Sequence, residues 1–166
     1  MMVLAYYCFL RVGEMTVKSG GDHTKTIQLS DVQFESTQNQ LLSMTVTIRN
    51  YKHSDLQPKK IVIQRNKHNS ICPVLTLWQY VSVTKHRHGP LFCFICGTPV
   101  SYFYFNSSLK SLLRFVGLSP DLYKSHSFRI GAAISVAARG VPLSVIQNMG
   151  RWKSNAFKNY IRIDNL

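Results

Sequence analysis

The chain has 166 residues, room for one domain with a core of ordinary size. Lys and Arg number 20 against 7 Asp and Glu, a formal net charge of +13, although charged residues make up only 16% of the chain. With 45% hydrophobic residues it is no disordered basic tail, and a folded protein with a polyanionic partner follows, nucleic acid ahead of a membrane surface.

Residues 1 to 12 read as the end of an apolar helix with no cap before it. From Ile27 to Gln64 the period becomes two-fold: Leu42, Met44, Val46 and Ile48 alternate with Ser43, Thr45, Thr47 and Arg49, and Ile61 and Ile63 alternate with polar neighbours. This predicts a small antiparallel sheet with one buried face. After Pro73, well placed in a first turn, the spacing turns helical, with Val74, Leu77, Trp78 and Val81 on one stripe. A second stripe runs Phe105, Leu109, Leu112, Leu113 and Val116, stopped by Gly117. A third runs Ile130, Ala133, Ile134, Ala137 and Ala138, with Ser127 as N-cap and Gly140 at its close. Pro142 to Met149, closed by Gly150, and Ser154 to Ile161 complete the set. The predicted fold class is α+β: a mainly helical domain with a three-stranded antiparallel meander, undivided by any Pro- or Gly-rich linker.

No apolar run approaches the ~18 residues of a membrane span, and the opening MMVLAYYCFLRVGEM lacks the order of a signal peptide. A soluble intracellular protein is expected. Cys8, Cys72, Cys93 and Cys96 are too few and too unevenly spaced for a disulfide framework. His86, His88, Cys93 and Cys96 are zinc-ligand types, but an H-x-H with a single C-x-x-C is a weak pattern, and LFCF…CGTP reads as an apolar loop.

The residues that carry chemistry stand at the joints of the elements. Leu10-Arg11-Val12-Gly13-Glu14 ends the first helix, Tyr51-Lys52-His53-Ser54 lies between the second and third strands, and His126-Ser127-Phe128-Arg129 opens the third helical stripe. Gly150-Arg151-Trp152 and Tyr160 follow. Each has a bland reading on its own: a helix-end cation, a turn lysine, a capping histidine, a half-buried tyrosine. Together they are donors to phosphate oxygens plus one phenol nucleophile, with no carboxylate cluster to hold a metal. His126 and Arg129, three apart at a helix start, share one side of that turn beside its free N–H groups, a geometry for gripping an anion. Such a set suits phosphoryl transfer without a metal.

In order and context these segments resemble the catalytic domain of the tyrosine recombinases, the phage integrase family. YYCFLRVGEMT, RNYKHSD, YKSHSFRIGAA and MGRWKSNAFKNYIR recur from near the first residue to near the last. Their wording is similar to enzymes of eukaryotic mobile elements of the Crypton and DIRS-like kinds. The resemblance implies the DNA breaking-rejoining fold and no cofactor. It implies that Arg11 and Arg129 hold the non-bridging oxygens of the scissile phosphate, and that Glu14 supports the active-site arginine. Lys52 would protonate the departing 5′-oxygen, His126 would assist proton movement, Trp152 would donate its indole N–H, and Tyr160 would attack phosphorus. Lys59 and Lys60, entering the third strand, could reach the same phosphate, and Arg151 could touch DNA backbone.

The implied function is cleavage and rejoining of double-stranded DNA through a 3′-phosphotyrosine, in recombination or integration, with four subunits assembling as a homotetramer on two duplexes. Such a protein would work in the nucleus of a eukaryote or otherwise in the cytoplasm. Residues 1–166 correspond to the catalytic domain, with the family's N-terminal DNA-clamping domain missing. A catalytically inactive DNA-binding remnant of a mobile element is therefore the alternative. A basic RNA- or membrane-surface module ranks last, since no polybasic run beside an amphipathic helix and no RNA-binding signature is present.

Overall fold

The computed structural model describes residues 1–18, 23–38, 40–49, 57–66 and 71–161, excepting the side chains of Ala156, Asn159 and Tyr160. The chain opens with α1 (Met2–Tyr7) and α2 (Val12–Met15), passes through two short 3₁₀ turns, and enters the strands β1 (Val32–Thr37), β2 (Gln40–Ile48) and β3 (Lys59–Gln64). The helices α3 (Pro73–Thr84), α4 (Tyr102–Phe115), α5 (Ser127–Ala137) and α6 (Leu143–Met149) follow, and a 3₁₀ helix, Asn155–Tyr160, comes last. The mixed α+β class and the three-stranded meander are thus as the sequence predicts.

The sheet has strand order β1-β2-β3, antiparallel throughout. Its register sets Phe34, Met44 and Ile63 in one cross-strand row and Val32, Val46 and Ile61 in the next. Met44, Val46 and Ile48 are fully buried, and the same face carries Lys59, the partner of Ile48, at its end. Strand alternation therefore sends Lys59 toward the helices and Lys60 to solvent, where it is exposed. The sheet packs with α1, α3 and α4 around a core that includes Leu4, Leu77, Leu91 and Phe105.

Several elements depart from their sequence expectations. The first apolar stretch is two helices and not one, because Phe9 takes a left-handed conformation (φ 51°). Phe9 N–H donates to Tyr6 and Leu10 N–H to Ala5, which is the Schellman ending that a glycine ordinarily serves. Trp78, Leu112 and Val116 are exposed, since the core takes Val74 and Leu77 from α3 and Phe105, Leu109 and Leu113 from α4. Ala138 is likewise exposed at the end of α5. Ser127 is the first helical residue, His126 the N-cap, and the Ser127 hydroxyl accepts instead from Lys124 N–H. The last segment is a 3₁₀ helix, not an α-helix.

At α6 the left-handed residue is Arg151 (φ 54°) rather than Gly150 (φ −79°). Arg151 N–H donates to Asn148 and Trp152 N–H to Gln147, a second Schellman ending with a side chain in the glycine place. Gly150 is required for space: a Cβ there would collide with the Trp152 ring.

A second cluster gathers Phe9, Ala132, Ala133, Ile146 and Phe157, with Trp152 packed against it. Phe157 fastens the final 3₁₀ helix, and with it the backbone of Tyr160, to α5 and α6. Replacing Phe157 by Ala should cost about 3–5 kcal/mol; urea unfolding of both proteins measures this, and a loss below ~1 kcal/mol would mean that the segment is not held by this contact.

Candidate functional site

The site forms where the end of α1, the start of α5 and the end of α6 meet. α2 is one turn long, and Arg11 is its N-cap. Glu14, in the third helical position, returns to that cap: it accepts from Arg11 N–H at 2.8 Å and from Arg11 Nη1 at 3.1 Å. Both the backbone and the guanidinium of Arg11 are thereby fixed by one carboxylate. Glu14 is only 4% exposed, whereas the Arg11 side chain keeps 26% of its surface open.

Arg129 projects from the first turn of α5 into the interior and is 0% exposed. Its Nη1 donates to the Phe9 carbonyl at 2.9 Å and its Nη2 to the Gly150 carbonyl. The Trp152 ring covers the guanidinium, with Cζ 4.4 Å from the ring centroid, a cation–π contact. Trp152 in turn stacks on Phe157 at 5.5 Å and meets Phe9 edge-on at 6.1 Å.

Arg151 was a candidate for the DNA backbone, read either way as a surface cation, and the structure buries it. Its side chain is 1% exposed and pairs with the second oxygen of Glu14, Nη2 to Oε2 at 2.8 Å. The same group donates to Phe9 carbonyl at 3.1 Å and to Cys8 carbonyl at 3.4 Å. The φ of 54° at Arg151 turns the chain back so that the residue after the helix points inward. Burial pushes the neighbouring Cys8 thiol up to about 12 against the pull of Arg151, so Cys8 stays neutral and Glu14 carries the balancing charge.

His126 is exposed as a residue, but its ring packs into the surface far enough to be desolvated. That desolvation lowers its pKa below 6.5, and the charges of Arg129 and Arg11 push the same way. Arg11, Arg129 and His126 therefore share one electrostatic neighbourhood. On the side of α6, Lys59 Nζ donates to Asn148 Oδ1 at a cavity of about 300 Å³ lined also by Ser144, Gln147, Arg151, Trp152 and Lys153.

Lys52 lies outside the described residues, as does the side chain of Tyr160. Among the described residues no group of three or more His, Cys, Asp or Glu is placed to hold a metal ion; Cys93 is buried and Cys96 exposed. No helix among them is long and apolar enough to cross a membrane. The Arg151–Glu14 pair and the Lys59–Asn148 contact were not foreseen, since local sequence carries no sign of partners 137 and 89 positions apart.

The chain matches no protein-family model and no curated protein. Its fold is similar to solved structures of DNA complexes. The site-specific recombinase XerH bound to difH substrate, before cleavage, superposes with a TM-score of 0.66 at 16% identity, over 98% of this chain and 41% of that one. The post-cleavage complex of XerH with palindromic difH gives 0.65 at 15% identity, over 99% and 41%. The Tn1549 transposon integrase with circular intermediate DNA gives 0.53 at 16%, over 99% and 53%. The chain thus spans less than half the length of the XerH chain.

The lowered pKa of His126 fixes a sign. Around and below pH 6.5 the unfolded chain binds a proton at this position that the folded chain resists, so stability contributed here falls as pH drops through 6.5 toward the folded value. The stability of the wild type relative to His126→Gln should accordingly decline between pH 7.5 and 5.5 in paired urea titrations, and Arg11→Ala should raise the pKa of the His126 ring by NMR. A ring titrating at or above the ordinary value would refute the geometry.

Proposed function

We propose that the chain cleaves and rejoins strands of double-stranded DNA by transesterification, with Tyr160 as nucleophile. The observation that carries this reading is the convergence of Arg11, Arg129, His126 and Trp152 on one spot, on a fold shared with recombinases solved on DNA. The Tyr160 phenol would attack the scissile phosphorus; a P–O bond to tyrosine forms as the bond to the 5′-oxygen breaks. Its pKa of ~10 lies well below that of an aliphatic alcohol, so the phosphotyrosine remains a usable leaving group and resealing needs no outside energy source.

Arg11, fixed by Glu14 and open on its outer side, is the group best placed to meet a non-bridging oxygen. Arg129 supplies positive charge from beneath; direct contact with phosphate requires the Trp152 ring to lift from it. His126, held neutral near pH 7 by burial and by the two arginines, is suited to accept the phenol proton. Lys52 would protonate the departing 5′-oxygen, with Lys59, at the cavity beside Trp152, contacting the neighbouring DNA backbone. Lys60, on the outer face of β3, belongs to the general positive surface. Strand exchange joins two duplexes, so four copies of the chain would assemble on DNA. The Crypton- and DIRS-like wording favours a mobile element and work in a nucleus.

A nicked duplex carrying the cognate junction should trap a covalent protein–DNA adduct that is absent with Tyr160→Phe; an adduct that survives this substitution would exclude Tyr160. A 5′-bridging phosphorothiolate substrate separates the lysines, because a thiolate leaving group with pKa ~8.5 needs no acid. Lys52→Ala should lose on the order of 100-fold or more on the ordinary phosphodiester and recover on the sulfur substrate. Recovery of Lys59→Ala in its place would move the acid to Lys59.

A further inference from the structure

Glu14 is held by two cations at once, and only one of them can reach a ligand. Oε1 accepts from Arg11 Nη1, while Oε2 accepts from the Arg11 backbone N–H and from Arg151 Nη2. The Arg11 side chain is 26% exposed and that of Arg151 1%. Arg151 Nη1 and Nη2 also donate to the carbonyls of Cys8 and Phe9, so both ends of its guanidinium are taken up by interior acceptors.

A carboxylate paired with a single guanidinium forms a neutral couple whose field falls away quickly with distance. Were Arg11 the sole partner of Glu14, the charge offered to a phosphate would be largely cancelled by the carboxylate that fixes it. Arg151, on the opposite oxygen, brings the three groups to a net charge of one positive unit. Arg11 is the exposed member of the three.

We propose that Arg151 is a positioning residue: by neutralising Glu14 from the interior, it lets the same carboxylate fix Arg11 in place without cancelling its charge toward a bound phosphate. The inference rests on the proposed function only in taking Arg11 as a phosphate-holding group. It separates Arg151 from the DNA contacts suggested by its position beside Trp152, and it gives the inward, left-handed turn at residue 151 a purpose in the chemistry.

The test is a titration of the full chain with inorganic phosphate, followed by NMR at the backbone N–H signals of Arg11 and His126. Arg151→Met should weaken phosphate binding about tenfold, and adding Glu14→Gln should restore it to within about threefold of wild type, because the net charge returns while an amide still accepts from Arg11. A single variant that binds as wild type, or a loss that the double variant does not repair, overturns the proposal. Should Arg151→Met fail to fold, Arg151→Lys takes its place: the charge is kept and the fork lost, so affinity should stay within about threefold of wild type, and a tenfold drop counts against charge balance. Arg11→Ala separates the two claims. If it leaves phosphate binding intact, both claims fall; if it abolishes binding and no Tyr160 adduct ever forms on DNA, the functional reading falls and the coupling of Arg151 to Arg11 stands.

Discussion

Arg129 and Arg151 are both charged and both removed from water, so each must find acceptors inside the protein, and the site depends on where those acceptors are. Their shared one is the carbonyl of Phe9, which faces inward because Phe9 ends α1 in a left-handed conformation. A bulky residue there costs on the order of 1–2 kcal/mol. What offsets that cost is the pair of charge-assisted bonds that the buried carbonyl accepts. The second acceptor, Gly150 carbonyl, ends α6, and the third, Glu14, sits one turn beyond Phe9. Three helix ends are thus tied by two guanidiniums, and breaking a buried pair of this kind by removing one partner costs about 3–5 kcal/mol.

This arrangement sorts the basic residues by depth. Arg129 and Arg151 shape the interior, Arg11 stands at the boundary, and Lys59 and Lys153 reach the cavity next to Trp152. Buried cations near a surface raise the potential in front of it without themselves being contacted. The lowered pKa of His126 comes first from desolvation of its own ring, and the charges of Arg129 and Arg11 push it the same way, toward the neutral form. Electrostatic preorganisation of this type suits a phosphoryl-transfer site, where charge must be fixed before the substrate arrives.

Much of this was legible in the sequence, and the failures have a common cause. Alternation in β2 and β3 showed the core-facing row Met44, Val46, Ile48, Ile61 and Ile63, because period two needs no knowledge of neighbours. It failed at Leu42, where a register shift against β1 sets Leu41 against the core instead and Ser43 is buried. His126 and Arg129, three apart, were readable as neighbours, but the shared anion grip expected of them does not form, because Arg129 turns inward onto the carbonyls of Phe9 and Gly150. Glu14 as the support of Arg11 came from the family resemblance. Trp78, Leu112 and Val116 were misplaced because an apolar stripe states which residues could be buried, while the width of the packing partner decides how many are. Arg151 was misread for a sharper reason: beside a glycine at a helix end, an arginine looks like a surface cation. Its burial follows from a left-handed turn that local preference assigns to Gly150 and that the Trp152 ring, lying over Gly150, displaces by one residue.

Gly150 and Arg151 are in this sense one device. The absent side chain at 150 lets Trp152 lie close over the Arg129 guanidinium, and the left-handed φ at 151 sends the next guanidinium toward Glu14. A glycine in the usual place, at 151, would satisfy the helix end with less strain but would leave Glu14 with Arg11 as its sole cationic partner. The more strained choice places a second positive charge beneath the first, and that charge decides how much of Arg11 remains for an anion.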